Sequence, residues 1–207
     1  MEPAIDADAT FDRIDLDGSS WIDIARGWLL GADALYAFLE SSVQWQADKV
    51  WRYEKYVESP RLGKGFRTQD APHPIITEAQ RAIEKRYHAR FESFGLQYYR
   101  NNRDSVAMHR DREMKWLDDT VVAILTTGAR RPFLVQRRDT RVADRDLSPA
   151  AGDLMVFGGR FQADWLHGVP KIRPAVRGRI SVQWRYTSKT GRRDTNPGFY
   201  APREFST

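Results

Sequence analysis

The spacing of the apolar residues changes after Tyr98. Before that residue, apolar positions recur every three to four residues, which is typical of amphipathic helices. The pattern predicts one helix over residues 31–40 and a second over residues 77–94. Thr77 and Gln80 fit a capping box at the start of the second helix, in which the two side chains satisfy backbone N–H groups.

After Tyr98 the apolar residues form short runs bounded by glycine, proline and polar residues, which is typical of strands. Helices followed by many strands predict an α+β chain whose catalytic core is all-β. Residues 1–12 and about 190–207 lack periodicity and are predicted to be loose termini. The predicted strands cover residues 105–109, 121–125, 133–136, 154–157, 165–169 and 180–186.

The composition is that of one globular domain spanning residues 1–207, with 41% hydrophobic residues. The chain has no cysteine, which excludes disulfides and thiolate metal sites and leaves histidine and carboxylate as metal ligands. No apolar run approaches the roughly 20 residues that span a bilayer, so we expect a cytoplasmic protein. The net charge of +5 and pI near 9.5 are compatible with nucleic-acid binding.

The sequence His109-Arg110-Asp111 predicts one half of a metal site. Side chains alternate along a strand, so His109 and Asp111 would lie on one face. With His167 from another strand they would form a two-histidine, one-carboxylate triad, which leaves open positions on non-haem Fe(II) for a bidentate co-substrate and O2. The pair also fits solvated neighbours, and His167 alone also fits a buried core histidine.

Arg179 and Arg185 lie on the same predicted strand face as Ser181 and Gln183. Two arginines that point into a core are costly unless they meet anions. A dicarboxylate such as 2-oxoglutarate supplies two, and arginine suits forked carboxylate binding. An exposed edge strand with ordinary surface arginines is the alternative.

Residues 45–67 alternate aromatic with basic residues, as do surfaces that track a phosphate backbone and stack bases. The alternative is a hairpin with one aromatic face on the core and a solvated basic face. The residues expected to contact nucleic acid are Arg61, Lys64 and Arg67.

Several segments together resemble the AlkB family of Fe(II)/2-oxoglutarate-dependent dioxygenases, which oxidatively remove alkyl groups from nucleic-acid bases. The resemblance covers about residues 45–187. Its segments are S-P-R-L (59–62), Y-R-N-N-R-D-S-V-A-M-H-R-D-R-E (99–113), T-V-V-A-I-L-T-T-G-A-R-R-P-F-L-V (120–135), G-D-L-M-V-F-G-G-R-F-Q-A-D-W-L-H-G-V-P-K (152–171) and R-I-S-V-Q-W-R (179–185).

The resemblance implies a double-stranded β-helix (jelly roll) core over residues 98–187, with N-terminal helices and a nucleotide-recognition lid over residues 45–75. It implies Fe(II), 2-oxoglutarate and O2 as cofactor and co-substrates. By the family pattern, the iron ligands are His109, Asp111 and His167. The 2-oxoglutarate-binding positions are Tyr99, Arg179 and Arg185, and Glu113 matches an acidic position that faces the substrate base.

The chain departs from the family pattern at three places. Gln97 and Ser181 replace asparagines that the family usually has near its co-substrate, and both can still form hydrogen bonds with a different reach. Residues 63–67 replace an aromatic-rich stretch that helps to form the family's lid over the base.

The resemblance therefore implies oxidative dealkylation of alkylated DNA or RNA, with release of succinate, CO2 and an aldehyde, by a protein expected to be a monomer. A 2-oxoglutarate-dependent hydroxylase or demethylase acting on a protein or a small molecule is the alternative, and the altered residues 63–67 favour it. A nucleic-acid-binding module without catalysis does not account for the metal ligands. A zinc hydrolase leaves both arginines unexplained.

Overall fold

The computed structural model describes residues 1–52, 55–111, 114–193 and 204–205. Within them the helices are α1 (Ala32–Ser42), α2 (Pro74–Tyr87) and α3 (Phe161–Asp164), with a 3-10 turn at Thr68–Asp70. The strands are β1 (Ala4–Ile5), β2 (Asp12–Asp15), β3 (Ser20–Ala25), β4 (Leu29–Leu30), β5 (Gln46–Arg52), β6 (Lys55–Arg67), β7 (Ser93–Tyr99), β8 (Val106–His109), β9 (Thr120–Gly128), β10 (Leu134–Arg137), β11 (Arg145–Asp146), β12 (Leu154–Gly159), β13 (Trp165–Val169), β14 (Arg179–Thr187) and β15 (Glu204–Phe205).

Two antiparallel sheets form the core. The large sheet has the order β15-β5-β6-β7-β14-β9-β12-β3-β2, and the small sheet has the order β11-β10-β13-β8. One apolar cluster lies between the sheets, where Ile124 and Met155 of the large sheet join Val135 and Trp165 of the small sheet. This arrangement confirms the α+β jelly roll that the AlkB resemblance implies.

The opposite face of the large sheet is covered by α1 and α2. Leu125 and Val182 point to this side and share a second apolar cluster with Leu35 and Ile83 of the helices. Both faces of the central strands are therefore buried, and every residue of β9 is buried. Burial on both faces explains why the central strands read as continuous apolar runs rather than as alternating ones.

The second helix is shorter than predicted. It ends at Tyr87, followed by His88 in the left-handed conformation, and residues 93–99 form β7 instead of a further helical turn. The capping-box prediction is also wrong, because His73 is the N-cap and accepts a hydrogen bond from Ile75 N. Gln80 is buried in the helix and accepts a hydrogen bond from Trp184 Nε1. The apolar spacing across residues 91–94 imitates a helix, but pairing of β7 with β6 and β14 decides for a strand.

The N-terminal region contributes more to the fold than predicted. Residues 1–12 are not loose, because β1 pairs with β4 and β2 begins at Asp12. No strand was predicted over Ser20–Ala25, yet β3 pairs with β12 along its whole length and buries Ile22. At the other end, Arg192 O accepts a hydrogen bond from Leu117 N, so part of the predicted loose C-terminal segment is also packed. Residues 194–203 and 206–207 lie outside the described residues.

All six predicted strands are found, with ends that differ by a few residues. The basic and aromatic segment forms the antiparallel strand pair β5 and β6, which is compatible with both interpretations of this segment. The C-terminal half of β6 also pairs with β7, with Leu62 opposite Tyr98, and is therefore part of the large sheet. Among the described residues, no helix combines the length and the apolar character needed to cross a membrane.

Candidate active site

The three predicted metal ligands meet at one end of the small sheet. His109 ends β8, and His167 lies directly opposite it in the register of β13. Their ring centroids are 4.5 Å apart. Asp111 lies two residues beyond β8, and the potential ligand atoms of all three residues are within 4.8 Å of one another.

Asp111 does not lie on the strand, contrary to the prediction that alternation along β8 orients it. Three hydrogen bonds place it instead. Its backbone N donates to Gln162 Oε1 at 2.8 Å, and Gln162 Nε2 donates to its Oδ2 at 3.4 Å. Arg185 Nη2 donates to its Oδ1 at 3.1 Å. The local pattern H-x-D is therefore oriented by residues of two other elements, α3 and β14.

His109 presents one ring nitrogen for coordination. Its Nδ1 lies 2.8 Å from Ala107 O, and because a carbonyl oxygen only accepts, Nδ1 carries the proton. Nε2 then has the free lone pair that a metal requires. Burial lowers the pKa of His109, with Asp111 opposing the shift, and this favours the neutral imidazole.

His167 is held mainly by aromatic packing. Its ring stacks on Phe133 at 5.6 Å between centroids and on Phe157 at 6.0 Å, and Phe161 packs beside it. Its buried Nδ1 has no hydrogen-bond partner within the described ranges. Burial and the neighbouring His109 lower the pKa of His167 to about 3, so the ring is neutral at physiological pH.

Asp111 is a carboxylate. Burial raises the pKa of Asp111, but Arg185 and the two histidines lower it by a larger amount. The net pKa of Asp111 is therefore below its ordinary value. Two neutral imidazoles and one carboxylate are the donor set of non-haem Fe(II) enzymes. The residues therefore fit Fe(II), held by His109, Asp111 and His167.

Arg179 is a buried cation with few partners. It is 1% exposed, its Nη2 donates to Thr126 Oγ1 at 3.1 Å, and its Nε has no partner among the described residues. Burial lowers its pKa to about 10, which still leaves it charged at neutral pH. A buried guanidinium of this kind is costly unless an anion binds it, and the carboxylate of 2-oxoglutarate is such an anion.

Tyr99 lies between two arginines. It is opposite Arg179 in the register of β7 and β14, and its ring centroid is 5.5 Å from the Arg179 guanidinium. From the other side, Arg61 Nη1 donates to the Tyr99 hydroxyl at 3.2 Å. The hydroxyl oxygen is thus accepting from Arg61, which leaves its own proton for another acceptor in the site.

A cavity of about 460 Å³ joins Arg179 to the metal ligands and reaches β6. Four cationic side chains and Asp111 are the charged groups among its described lining residues. The full lining consists of Ser59, Arg61, Gly63, Lys64, Gly65, Ser93, Phe94, Gly95, Gln97, Tyr99, Val106, Ala107, Met108, His109, Asp111, Met114, Ile124, Phe133, His167, Val169, Arg179, Gln183, Arg185, Tyr186 and Thr187.

Some of the remaining predicted site residues line the cavity and others do not. Gln97 lines the cavity, and its buried Oε1 has no partner in the part of the chain that is described. Ser181 is fully buried and is not a lining residue. Lys64 lines the cavity beside Arg61, whereas Arg67 is exposed outside it. Glu113 lies outside the described residues.

Two glutamines at the site were missed by the sequence reasoning. Gln183 Nε2 donates to Ser181 Oγ at 3.0 Å, and its Oε1 accepts from Arg185 Nη2 at 2.6 Å. The sequence feature that could have identified Gln183 is its position on the same face of β14 as Arg179 and Arg185. Gln162, which contacts Asp111, gave no signal beyond its place five residues before His167.

Comparison with known proteins gives consistent similarities. A family model described as the 2OG-Fe(II) oxygenase superfamily matches residues 36–192. Alpha-ketoglutarate-dependent dioxygenase alkB homolog 3 of Bos taurus is 28% identical over 174 residues, which cover 74% of this chain and 61% of that protein. DNA oxidative demethylase ALKBH2 of Arabidopsis thaliana is 28% identical over 119 residues, which cover 47% of this chain and 38% of that protein.

The solved structure of OsALKBH1 has a TM-score of 0.58 at 12% identity, covering 85% of this chain and 100% of that chain, and therefore shares the fold. The chain spans about three fifths or less of the length of the two curated relatives.

Proposed function

Because the chain belongs to the 2OG-Fe(II) oxygenase superfamily, and to the AlkB family within it, we propose that it is a dioxygenase that oxidatively dealkylates nucleic-acid bases. The observation that carries the proposal is the cavity that connects the His109, Asp111 and His167 triad to the buried Arg179. The triad alone fits several metals. The triad together with a buried arginine that has no ion pair to any described residue fits a metal plus a carboxylate-bearing co-substrate.

The Arg179 end of the cavity binds the co-substrate, and the Asp111 end binds the metal. Arg179 binds the far carboxylate of 2-oxoglutarate, and Tyr99 supplies a hydroxyl proton beside it. Arg185 keeps Asp111 ionised and oriented at the other end. Fe(II) and 2-oxoglutarate bound to these residues would supply the activation of O2, in which one oxygen atom goes into succinate as CO2 is released and the other oxidises the substrate. The aromatic rings around His167 exclude water from one side of the triad, which limits side reactions.

A nucleic-acid substrate is supported by three observations. The similar proteins are named as alkB homolog 3 and as a DNA oxidative demethylase. The chain carries a net charge of +5. Lys64 at the cavity edge and the exposed Arg67 lie along β6, so phosphates on either side of a base in the cavity would meet cations. We therefore propose residues 45–75 as the substrate lid of a single domain. The role of Glu113 at the substrate base stays a prediction of the AlkB resemblance, because Glu113 lies outside the described residues. Cytoplasmic location and a monomeric state stay predictions.

The test is succinate release from 2-oxoglutarate and Fe(II) in the presence of oligonucleotides. The panel contains methylated and unmethylated single-stranded DNA, duplex DNA and RNA, with both cationic and neutral methylated bases. We expect succinate release and aldehyde formation that depend on the methyl group and are absent with the Asp111→Ala variant. Fe(II)-dependent succinate release that no methylated oligonucleotide stimulates would overturn the nucleic-acid substrate but leave the dioxygenase.

A hydroxylase or demethylase of a protein or small molecule is the second candidate. It is favoured by the part of β6 that lines the cavity, because Ser59, Arg61, Gly63, Lys64 and Gly65 include no aromatic side chain to stack a base. This candidate predicts that a protein extract or a metabolite mixture stimulates succinate release more than any methylated oligonucleotide does.

A further inference from the structure

We propose that Gln162 is a positioning residue that fixes Asp111 for metal binding through a single carboxylate oxygen. The inference rests on the proposed function only in requiring that the triad binds a divalent metal. It concerns a residue of α3 whose side-chain hydrogen bonds within the described residues both go to Asp111.

Both polar atoms of the Gln162 side-chain amide form hydrogen bonds with Asp111. Its Oε1 accepts from the backbone N of Asp111 at 2.8 Å, and its Nε2 donates to Asp111 Oδ2 at 3.4 Å. Gln162 is 0% exposed and Asp111 is 3% exposed, so water does not compete strongly for these contacts. An amide is the group suited to this pairing, because it carries one acceptor oxygen and one donor nitrogen on the same carbon.

Asp111 needs such a contact because the strand does not orient it. β8 ends at His109, and the pairing of β8 with β13 is already irregular between His167 and Val169. Past the end of a strand, the pleat no longer fixes the direction of a side chain. The backbone contact from Gln162 fixes the position of Asp111, and the side-chain contact fixes the rotation of its carboxylate.

The two carboxylate oxygens have different surroundings. Oδ1 accepts a hydrogen bond from Arg185 Nη2 and lies 3.9 Å from Nε2 of His167. Oδ2 faces Gln162 on the other side. Because Oδ1 lies near the ligand nitrogen of His167 and keeps a second lone pair beside the one that accepts from Arg185, Oδ1 is the oxygen that would share the metal with His167. Binding through one oxygen leaves more open positions for a chelating co-substrate and O2 than binding through two.

The support for Gln162 is itself well packed. Its neighbour Phe161 packs on Phe157 and Trp165 between the sheets. The preceding Arg160 forms ion pairs with Asp118 and Asp164, at 2.5 and 2.9 Å. α3 therefore holds Gln162 in a fixed place before the metal binds, which is what a positioning residue requires.

The experiment measures the affinity of the purified protein for Co(II), together with the visible spectrum of bound Co(II). The variants are Gln162→Met, which removes both contacts at similar volume, and Gln162→Asn, which keeps a polar amide but is one methylene too short to reach both atoms. The matched control is Gln80→Met, because Gln80 is also a buried glutamine with hydrogen bonds and belongs to α2, which covers the face of the large sheet opposite the small sheet.

We expect Co(II) affinity to fall about 10- to 100-fold in both Gln162 variants, with a changed Co(II) spectrum. Gln80→Met should lower thermal stability but leave the Co(II) affinity and spectrum of the folded protein like those of the wild type. If Gln162→Met does not fold, the Gln162→Asn variant decides the matter. Affinity within twofold of the wild type and an unchanged spectrum in a folded Gln162 variant would overturn the inference.

The outcome is separable from the substrate proposal. A wild-type protein that binds Co(II) tightly but shows no activity on methylated oligonucleotides contradicts the proposed substrate and leaves the Gln162 measurement intact. An active wild-type protein whose Gln162 variants bind Co(II) normally contradicts only the inference.

Discussion

Arg185 reaches from the large sheet to Asp111, beyond the end of the small sheet, and donates from Nη2 to its Oδ1 at 3.1 Å. The same nitrogen donates to Gln183 Oε1 at 2.6 Å, so the guanidinium is fixed from within its own strand. Arg185 therefore acts on a metal ligand, whereas Arg179, six residues earlier on the same face, is left for the co-substrate. This difference predicts different consequences for the two arginines.

Replacing Arg179 by alanine should raise the KM for 2-oxoglutarate more than replacing Arg185 does. A hydrogen bond to a charged group is worth roughly 1.5–3 kcal/mol, which corresponds to about tenfold or more in KM. Arg179→Lys should recover only part of the lost 2-oxoglutarate affinity, since lysine restores the positive charge but not the two parallel N–H donors of a guanidinium. Succinate formation measured over a range of 2-oxoglutarate concentrations checks this. A KM unchanged in Arg179→Ala would place the carboxylate elsewhere.

Arg185→Ala should instead weaken metal binding. Loss of the guanidinium removes the main positive neighbour that keeps the pKa of buried Asp111 low. We expect reduced Fe(II) or Co(II) affinity that recovers partly as the pH rises, because deprotonation of Asp111 is then less costly. Metal titrations at two pH values check this, with Arg13→Ala as a control for loss of an ion-paired arginine outside the site.

His109→Ala, Asp111→Ala and His167→Ala should each abolish 2-oxoglutarate turnover while the fold remains. Each substitution removes one of three ligands, and none removes a residue of the large apolar cluster under the helices. Circular dichroism should match the wild type, and Fe(II)-dependent succinate formation should be lost. Turnover retained in any of the three would refute the triad.

The metal-free protein should lose stability in mild acid. The pKa of His167 is lowered from 6.5 to about 3 in the folded state, so the stability is fully present above about pH 6.5 and is lost as the pH falls toward 3. In that range the unfolded chain takes up a proton that the folded chain excludes. His167→Phe, which fits the surrounding aromatic rings, should flatten the dependence. Thermal unfolding with chelator at pH 7 and pH 5 checks this, and equal slopes for both proteins would contradict it.

Lys64 and Arg67 should contribute to oligonucleotide binding without regard to sequence. If each contacts a phosphate, its replacement by alanine should flatten the dependence of log K on log salt by roughly 0.7–0.9. Arg81→Ala and Lys85→Ala are matched controls, because both residues are exposed on α2, across the large sheet from the cavity. Affinity measured at several salt concentrations decides. Equal slopes for the β6 variants and the controls would remove β6 from the nucleic-acid interface.

Arg61 should behave differently from these two residues. The sequence placed it with the phosphate contacts, but in the structure it is half-buried and donates to the Tyr99 hydroxyl. Arg61→Ala should therefore affect 2-oxoglutarate use more than it affects the salt dependence of binding. Comparing both quantities in this variant is the check. A change confined to the salt dependence would restore the original interpretation.

The sequence by itself determined which residue types form the site and which face of β14 they occupy. Alternation along a strand depends only on local backbone geometry, so Arg179, Gln183 and Arg185 had to share a face once the strand was recognised. The apolar runs likewise predicted β9, β12 and β14, and apolar residues at helical spacing predicted α1. The spacing of His109 and Asp111, with a distant His167, allowed a metal site, and the resemblance to the AlkB family implied that these three residues are its ligands.

Tertiary structure alone decided how these residues are held. Asp111 is oriented by Gln162, 51 residues away, and by Arg185, 74 residues away, and no local pattern encodes such contacts. The apolar spacing over residues 91–94 also fits a helix, and pairing of β7 with β6 and β14 decided for a strand from Ser93 onward. Arg61 is half-buried and donates a hydrogen bond to the hydroxyl of Tyr99 on the neighbouring strand, which the sequence did not predict. Periodicity is a property of a segment, whereas the partner of a buried polar group is a property of the folded chain.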